Sequence, residues 1–520
     1  MTENSQVNPA ATGRGVQWTL VLALFLFLNF LYLLTSTGRV RTIDEVSSDF
    51  EAESLYLRGN TAVPQAVQSH LFYGIADRFG RPQTPYAPGQ SVAALPWLAL
   101  GRWVARWHSV PQAAQDLLSD FFLVDSSAAF SAAAVVLALL LFLRLGIPAK
   151  TSLAAAGILA FATPVGAYSG WFFSEPLGAA LLLAAAAVLF SGAPRAASTT
   201  AHAIAAGALL AAAVWVRPTH IIVAPVFLAA LLLRDGKRAV GPAVVFAAIV
   251  GFAGAMYLWR NDFLFGDPFN FGYPPAAETG KALNSFHTPL ATGLYGFLLS
   301  PGKSVFVFAP PILLAVWGLR RLWRRDRALA AVACGAPLVY LLFFATYTQW
   351  EGGYCYGPRY LVPALALLCV GLGPALDGAT RRTRVVAWAL FTVGFLVQAI
   401  GLTTSFIQVQ ANGAYYDASF NYRMDFEQIG AQVKEIWRYA TSSAPAPIGQ
   451  GFDRWWVLLA KGQVPHEMLW GIAALELAGF ALSAWWLRKL YLLACPPAGK
   501  PQRGNAKSFS CRPIRPANPE

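Results

Sequence analysis

Apolar residues in this chain come in long uninterrupted runs, not in the two- or four-residue rhythm of a fold that faces water. Between polar breaks the runs cover 16–37, 121–143, 152–168, 176–191, 202–216, 219–233, 241–259, 303–319, 329–346, 359–376, 385–405 and 468–487. Most approach the roughly 20 residues with which a helix crosses a bilayer. The pattern therefore predicts an all-α integral membrane protein with about twelve transmembrane helices, ten at the fewest and thirteen at the most. Runs 202–216 and 219–233 are short and meet at Arg217-Pro218, so a single kinked pair is the alternative to two crossings. The first run exceeds the apolar core of a secretory signal and "TSTGRVR" is a poor cleavage site, so it is expected to remain as an anchor.

Composition agrees: 56% of the 520 residues are apolar, 12% are charged, and the mean hydropathy is +0.48. The net charge of +13 changes meaning once topology is assigned. With the N-terminus inside, 22 of the 39 Lys and Arg but five of the 26 acids fall in the connectors and tails of one face. Lys and Arg concentrate on the cytoplasmic side of membrane proteins, so both termini are expected in the cytoplasm. The positive charge is then topological, and the chain lacks the basic stripe with interleaved aromatics that nucleic acid requires. The long loops 38–120, 260–302, 347–358 and 406–467 all emerge on the other face, where function is expected. Four parts result: a transmembrane module over 1–405, a small polar unit over 406–467 with a Pro-rich break, a last helix over 468–487, and a basic tail over 488–520 expected to be disordered. No internal repeat is evident.

Familiar motifs are few. Of Cys334, Cys355, Cys369, Cys495 and Cys511 only Cys355 falls in an outer loop, so no disulfide framework is implied. The six histidines form no HxxxH pair and a dedicated zinc site is not expected, while carboxylates leave room for a divalent cation such as Mg or Mn. "SPGKS" (300–304) ends like a phosphate loop but has Phe297 where the motif needs Gly and follows no strand. It reads either as a helix start or as a place where Lys303 meets a lipid phosphate. Trp171, Tyr347, Trp350, Tyr354, Tyr356 and Tyr360 crowd the outer boundary as an interfacial aromatic belt would.

The charged residues that remain lie where the chain leaves the membrane. "TIDEVSSDFEAESLYLRGN" carries Asp44, Glu45, Asp49, Glu51 and Glu53 directly after the first span, and "SSDFEAESLYLRG" predicts a short helix capped by Ser47 or Ser48 and closed by Gly59. Glu45, Asp49 and Glu53 would share a face and repel, so the face is either solvated or put to use as a base or metal ligand. Arg217 and Arg359 sit at outer span ends, where an arginine at membrane depth needs a partner. A lipid phosphate held by bidentate bonds is one reading, and snorkelling or a pair with Glu351 is the other. Glu175, before Pro176, complements a helix N-terminus or has a second role; Asp125, in "DSSAAF", is its rival or an ordinary helix cap.

Taken in order, the Asp-Glu pair with "ESLYLRG", then "YAPGQSVAALPWLALG" (86–101, opening on Tyr86), "FFSEP" (172–176), "VRPT" (216–219), "NDFLFGDPFNFGY" (261–273), "LLSPGKSVFVFAPP" and "YGPRYLVPALALL" resemble the C-type (GT-C) integral membrane glycosyltransferases. The nearest group is that of bacterial polyprenyl-phosphate-sugar transferases akin to protein mannosyltransferases and the aminoarabinose transferase of lipid A. The resemblance implies a GT-C-like fold whose long first periplasmic loop carries interfacial helices, in a bacterial inner membrane. It implies an inverting transferase, for a hexosyl or pentosyl group, that moves a sugar from a polyprenyl-phosphate carrier to a lipid, glycan or protein acceptor. Asp44 would then be the base, Glu45 its orienting neighbour and Glu175 a second acid facing it. Asp49 is the alternative base, because this chain has Val46 and a displaced Phe50 where the family has Pro and an aromatic beside the pair. Two other classes stay open, a transporter or flippase of lipid-linked glycans and a polysaccharide polymerase or ligase.

Overall fold

The computed structural model describes residues 9–107, 110–190, 199–273, 285–412, 416, 422–442, 454–461 and 464–494. The Pro-rich break at 443–453 and the tail from 495, with Cys495 and Cys511, lie outside the described residues. Regular structure among the described residues is helical apart from a two-stranded hairpin of two residues each, Ile75–Ala76 against Pro82–Gln83, and two isolated bridges. Each of the twelve apolar runs is helical over most of its described length.

Seven segments are long and apolar enough to cross a membrane: Trp18–Thr35, Ala114–Arg144, Pro218–Phe265, Arg327–Ala345, Arg359–Leu376, Arg381–Thr403 and His466–Leu493. An eighth arises if Ala149–Phe161 and Pro164–Gly170, bent by 62° at Pro164, count as one. The expected twelve are not reached on this measure, for three physical reasons. Pro218–Phe265 takes in two of the runs, joined where Gly236 adopts φ +57 between helices Ala224–Asp235 and Val240–Phe265. Glu175–Leu189 and Thr200–Val216 are apolar but only 15 and 17 residues long. Run 303–319 is broken at Ala309-Pro310-Pro311 into helices of four and 14 residues, Val305–Phe308 and Ile312–Arg325, since prolines neither donate nor tolerate a preceding helical residue.

The spans pack around Gln112–Arg144 and Glu175–Leu189, whose small and branched side chains are mostly buried. Above one end lies the first loop. Its helix Ile43–Arg58 begins earlier than expected: the cap is Thr42, not Ser47 or Ser48, both of which are buried within the helix. Thr42 Oγ1 accepts from Glu45 N (3.2 Å) and Glu45 Oε2 accepts from Thr42 N (2.9 Å), a capping box. Gly59 closes the helix in the left-handed region at φ +64. Beyond it, Asp77 holds the hairpin, accepting from Phe79 N, Arg81 N and Arg81 Nε at 2.9 Å each and from Gln83 Nε2 at 3.0 Å. Helix Gly89–Trp107 then lies against the first-loop helix. The aromatic belt is largely not a belt: Trp171 is 1% exposed and Tyr356 fully buried, packed edge-to-face at 5.5 Å.

Candidate active site

Glu45 does the first piece of positioning. Besides the capping box, its Oε2 accepts from Arg41 N (3.1 Å) and its Oε1 from Phe172 N (2.9 Å). A fully buried carboxylate thus ties the start of the first-loop helix to the turn that precedes Glu175. Its hydrogen bonds are to backbone, so it orients Asp44 by fixing the helix that carries it. The negative charges of Asp44 and Glu45 in the first turn also suit the positive end of the helix.

Asp44 therefore points at a fixed place, and that place holds Arg359. The Asp44 Oδ2 carboxylate oxygen is ion-paired with Arg359 Nη1, and Oδ1 accepts a short hydrogen bond from the Tyr86 hydroxyl. Burial, and then the charge of Asp44, push the Tyr86 hydroxyl well above its usual range, so it keeps its proton and serves as donor. On the other side Arg359 Nε donates to Glu175 Oε1 at 2.8 Å, and Arg217 Nη1 donates to the same oxygen at 2.7 Å. The result is a chain of four charges, Asp44, Arg359, Glu175 and Arg217, drawn from four separate motifs. Exposure grades along it: the Glu175 side chain is 0% exposed, Arg359 7%, Asp44 22% and Arg217 23%. The open side of the cluster is the Asp44 and Arg217 side.

Local sequence explains the arginines. Arg217 precedes Pro218, which forces it to extended backbone at φ −154, ψ +117 and ends helix Thr200–Val216. Its guanidinium lies 4.5 Å over the Tyr360 ring, and that of Arg359 4.2 Å over Phe173. Each cation thus lies against aromatic rings, Arg217 also reaching Phe344 and Arg359 also reaching Tyr360 at 5.9 Å, and pairs with one or two carboxylates. Tyr273, from the 260–302 loop, stands edge-on to Tyr86 at 6.3 Å and to Tyr73 at 6.1 Å, walling the open side. Tyr73 and Tyr273 carry no sequence signal beyond their place in aromatic-rich loops and were not expected.

The remaining candidates lie elsewhere. Asp49 is turned away from the arginines toward Arg102, Glu53 and Asp116, and burial followed by the Glu53 charge pushes its carboxyl up to about 7. Lys303 is buried behind the 351–357 turn, with Nζ 3.1 Å from Cys355 Sγ. Glu351 accepts from the Tyr416 hydroxyl at 3.3 Å, so Arg359 has Asp44 and Glu175 as its partners instead of Glu351. Asp125 is buried mid-helix in Gln112–Arg144, where Glu476 is the charge acting on it. Among the described residues no group of three or more His, Cys, Asp or Glu is placed to hold a metal ion.

No family model matches this sequence, and no curated protein does. Among solved structures the chain is similar to ArnT from Cupriavidus metallidurans in the apo state, at 15% identity over 93% of this chain and 77% of that one, with a TM-score of 0.49. The same protein bound to undecaprenyl phosphate aligns over the same shares at 15% identity and a TM-score of 0.48. The archaeal oligosaccharyltransferase AglB from Archaeoglobus fulgidus, in complex with an inhibitory peptide and a dolichol-phosphate, aligns over 74% of this chain and 56% of that one, at 13% identity and a TM-score of 0.47. Likeness at this level carries no functional weight, and the geometry has to supply it.

Proposed function

We propose that the chain is an inverting membrane glycosyltransferase that takes a sugar from a polyprenyl-phosphate carrier and passes it to a hydroxyl acceptor on the outer face of the cytoplasmic membrane. One observation carries this reading: the Asp44, Arg359, Glu175, Arg217 cluster, with Tyr86 on Asp44, brings one part-exposed carboxylate together with two guanidiniums, which on this reading are a base and two phosphate binders. The resemblance of the ordered motifs to the GT-C enzymes supports the same assignment. On this reading both termini are cytoplasmic.

The chemistry follows from the parts. An acceptor O–H gives its proton to an Asp44 oxygen as its oxygen bonds the anomeric carbon. The bond from that carbon to the carrier's phosphate oxygen breaks, and the electron pair leaves with the polyprenyl phosphate. The guanidiniums of Arg359 and Arg217 take up the charge that develops there, because arginine matches phosphate geometry with two parallel donors. Glu175 holds both cations in place. Tyr86 fixes the second Asp44 oxygen.

The test is sugar transfer by the purified protein in lipid nanodiscs, from a polyprenyl-phosphate monosaccharide to candidate lipid, glycan and peptide acceptors. Asp44→Asn should lower kcat by about 10²- to 10⁴-fold, the usual worth of a general base. Full activity in that variant would overturn the mechanism. Movement of a labelled lipid-linked sugar across vesicles without transfer would replace it with the flippase reading.

A further inference from the structure

The last span is held unevenly. Toward the face opposite the site a cavity of 440 Å³ lies between the last span, the first span and helix Ala149–Phe161. That is the size of a small-molecule pocket, about 300–1,000 Å³. Above the cavity, helix His466–Ala494 presses against the first span: a Cβ at Gly479 would meet the Phe30 ring at 2.4 Å, and Phe480 pairs at 5.4 Å with Phe27, at the cavity's edge. The cavity walls are apolar, among them Leu24, Leu28, Gly157 and Leu487, and the polar groups come from Arg488 and Tyr491 on the last turns of the final helix. Lys489 and Lys150 are exposed at the same end.

We infer that this groove is a binding site for an anionic glycerophospholipid of the leaflet opposite the Asp44 site, with an acyl chain along Leu24, Leu28 and Gly157 and the phosphate at Arg488. The apolar walls offer a hydrocarbon chain contact and no polar partner, and charge complementarity at the mouth selects the headgroup. Basic pockets between transmembrane helices hold anionic headgroups for this reason. The position also gives the lipid a role, as the filler of the gap between the last span and its two neighbours. The site lies across the membrane from the four-charge cluster and is separate from it.

Native mass spectrometry of the full chain, released from a mild detergent and exposed to phosphatidylglycerol or phosphatidylcholine, tests this. Wild type should retain one phosphatidylglycerol and prefer it to phosphatidylcholine. Gly157→Leu should remove the bound lipid without unfolding the protein, because a Cβ there meets nothing within 4 Å and leucine favours a helix. Arg488→Gln, at an exposed position, should keep the chain-binding groove but lower the preference for phosphatidylglycerol about fivefold, the usual effect of one basic residue near anionic lipid. Equal retention in wild type and Gly157→Leu would overturn the proposal. So would equal uptake of the two lipids by wild type, an unchanged preference in Arg488→Gln, or displacement of phosphatidylglycerol by polyprenyl phosphate at equal concentration.

Discussion

Replacing Glu175 with glutamine removes the charge at the centre of the cluster and keeps its shape. Glu175 Oε1 accepts from two guanidiniums, Arg217 at 2.7 Å and Arg359 at 2.8 Å, and the side chain has no exposure. At such distances and an effective dielectric constant of about 20, each pair is worth about 6 kcal/mol before desolvation is subtracted. Removing one partner of a buried pair costs about 3–5 kcal/mol in practice. An amide oxygen still accepts, so Glu175→Gln should fall at the lower end, about 3 kcal/mol.

The sign of the charge makes the test sharper. With Asp44 and Glu175 ionised, the cluster is neutral; with glutamine it carries one uncompensated positive charge in a buried place. A bound phosphate would supply the missing negative charge. Thermal unfolding in nanodiscs should therefore give a lower midpoint for Glu175→Gln, and added polyprenyl phosphate should raise that midpoint more than it raises the wild-type one, since protection grows with ligand affinity. Transfer should slow, because the variant releases its product more reluctantly. An unchanged midpoint would refute the structural reasoning. Equal protection of both proteins by polyprenyl phosphate would refute the assignment of the arginines to phosphate.

Three further outcomes are expected. Tyr86→Phe removes the donor on Asp44 Oδ1; a hydrogen bond to a charged group is worth about 1.5–3 kcal/mol, so kcat should drop about tenfold to a hundredfold with little change in KM for the donor, read in the same transfer assay. Glu51 is fully buried with Ser91 Oγ donating to its Oε2 at 2.8 Å, and burial, against the opposing charge of Arg260, pushes its carboxyl from 4.5 up to about 7. The folded state then holds its proton where the unfolded chain has lost it, so about 3 kcal/mol of stability present below pH 4.5 disappears as pH rises through 7; Glu51→Gln should flatten that part of the pH profile of thermal unfolding. Gly89→Ala would bring a Cβ to 2.4 Å from the Trp215 carbonyl oxygen, a backbone atom that cannot turn aside, and should cost about 1–3 kcal/mol in denaturation measurements and disturb the neighbouring Arg217.

Much of this architecture is legible along the chain, and the exceptions share a cause. Apolar runs locate every span because bilayer solvation acts on each segment by itself. The Pro310-Pro311 break in run 303–319 and the Arg217-Pro218 corner are equally local. The cap of the first-loop helix was legible too: Thr42 with Glu45 three residues on is a capping-box signature, and Ser47 and Ser48 misled only because they look like caps when read without that spacing. What spacing could not tell is which acid meets which arginine. Asp44 and Asp49 are alike in sequence, and five helical positions turn one toward Arg359 and the other toward Arg102. The pairing of Arg359 with Glu175 joins loops 184 residues apart, and the tyrosines of the open wall are positioned by the same long-range folding.

The internal pairing of the four charges also bears on how a donor would enter. Arg359 gives Nη1 to Asp44 and Nε to Glu175, so a phosphate held there by two parallel donors would have to displace one of the two acids. The grading of exposure decides which. Glu175 is closed off and shared by both arginines, and moving it would leave two cations facing each other. Asp44 holds a single arginine, is 22% exposed, and keeps Tyr86 as a second partner if the first is lost. On the proposed function, phosphate arriving at Arg359 would therefore exchange with Asp44 and leave Glu175 in place. That exchange would free an Asp44 oxygen that Arg359 had occupied as the donor's anomeric carbon comes into reach. A carboxylate paired with arginine is a poor base, and one released beside the substrate is a better one, so the same contact that keeps the resting site neutral would tie activation of the base to arrival of the donor.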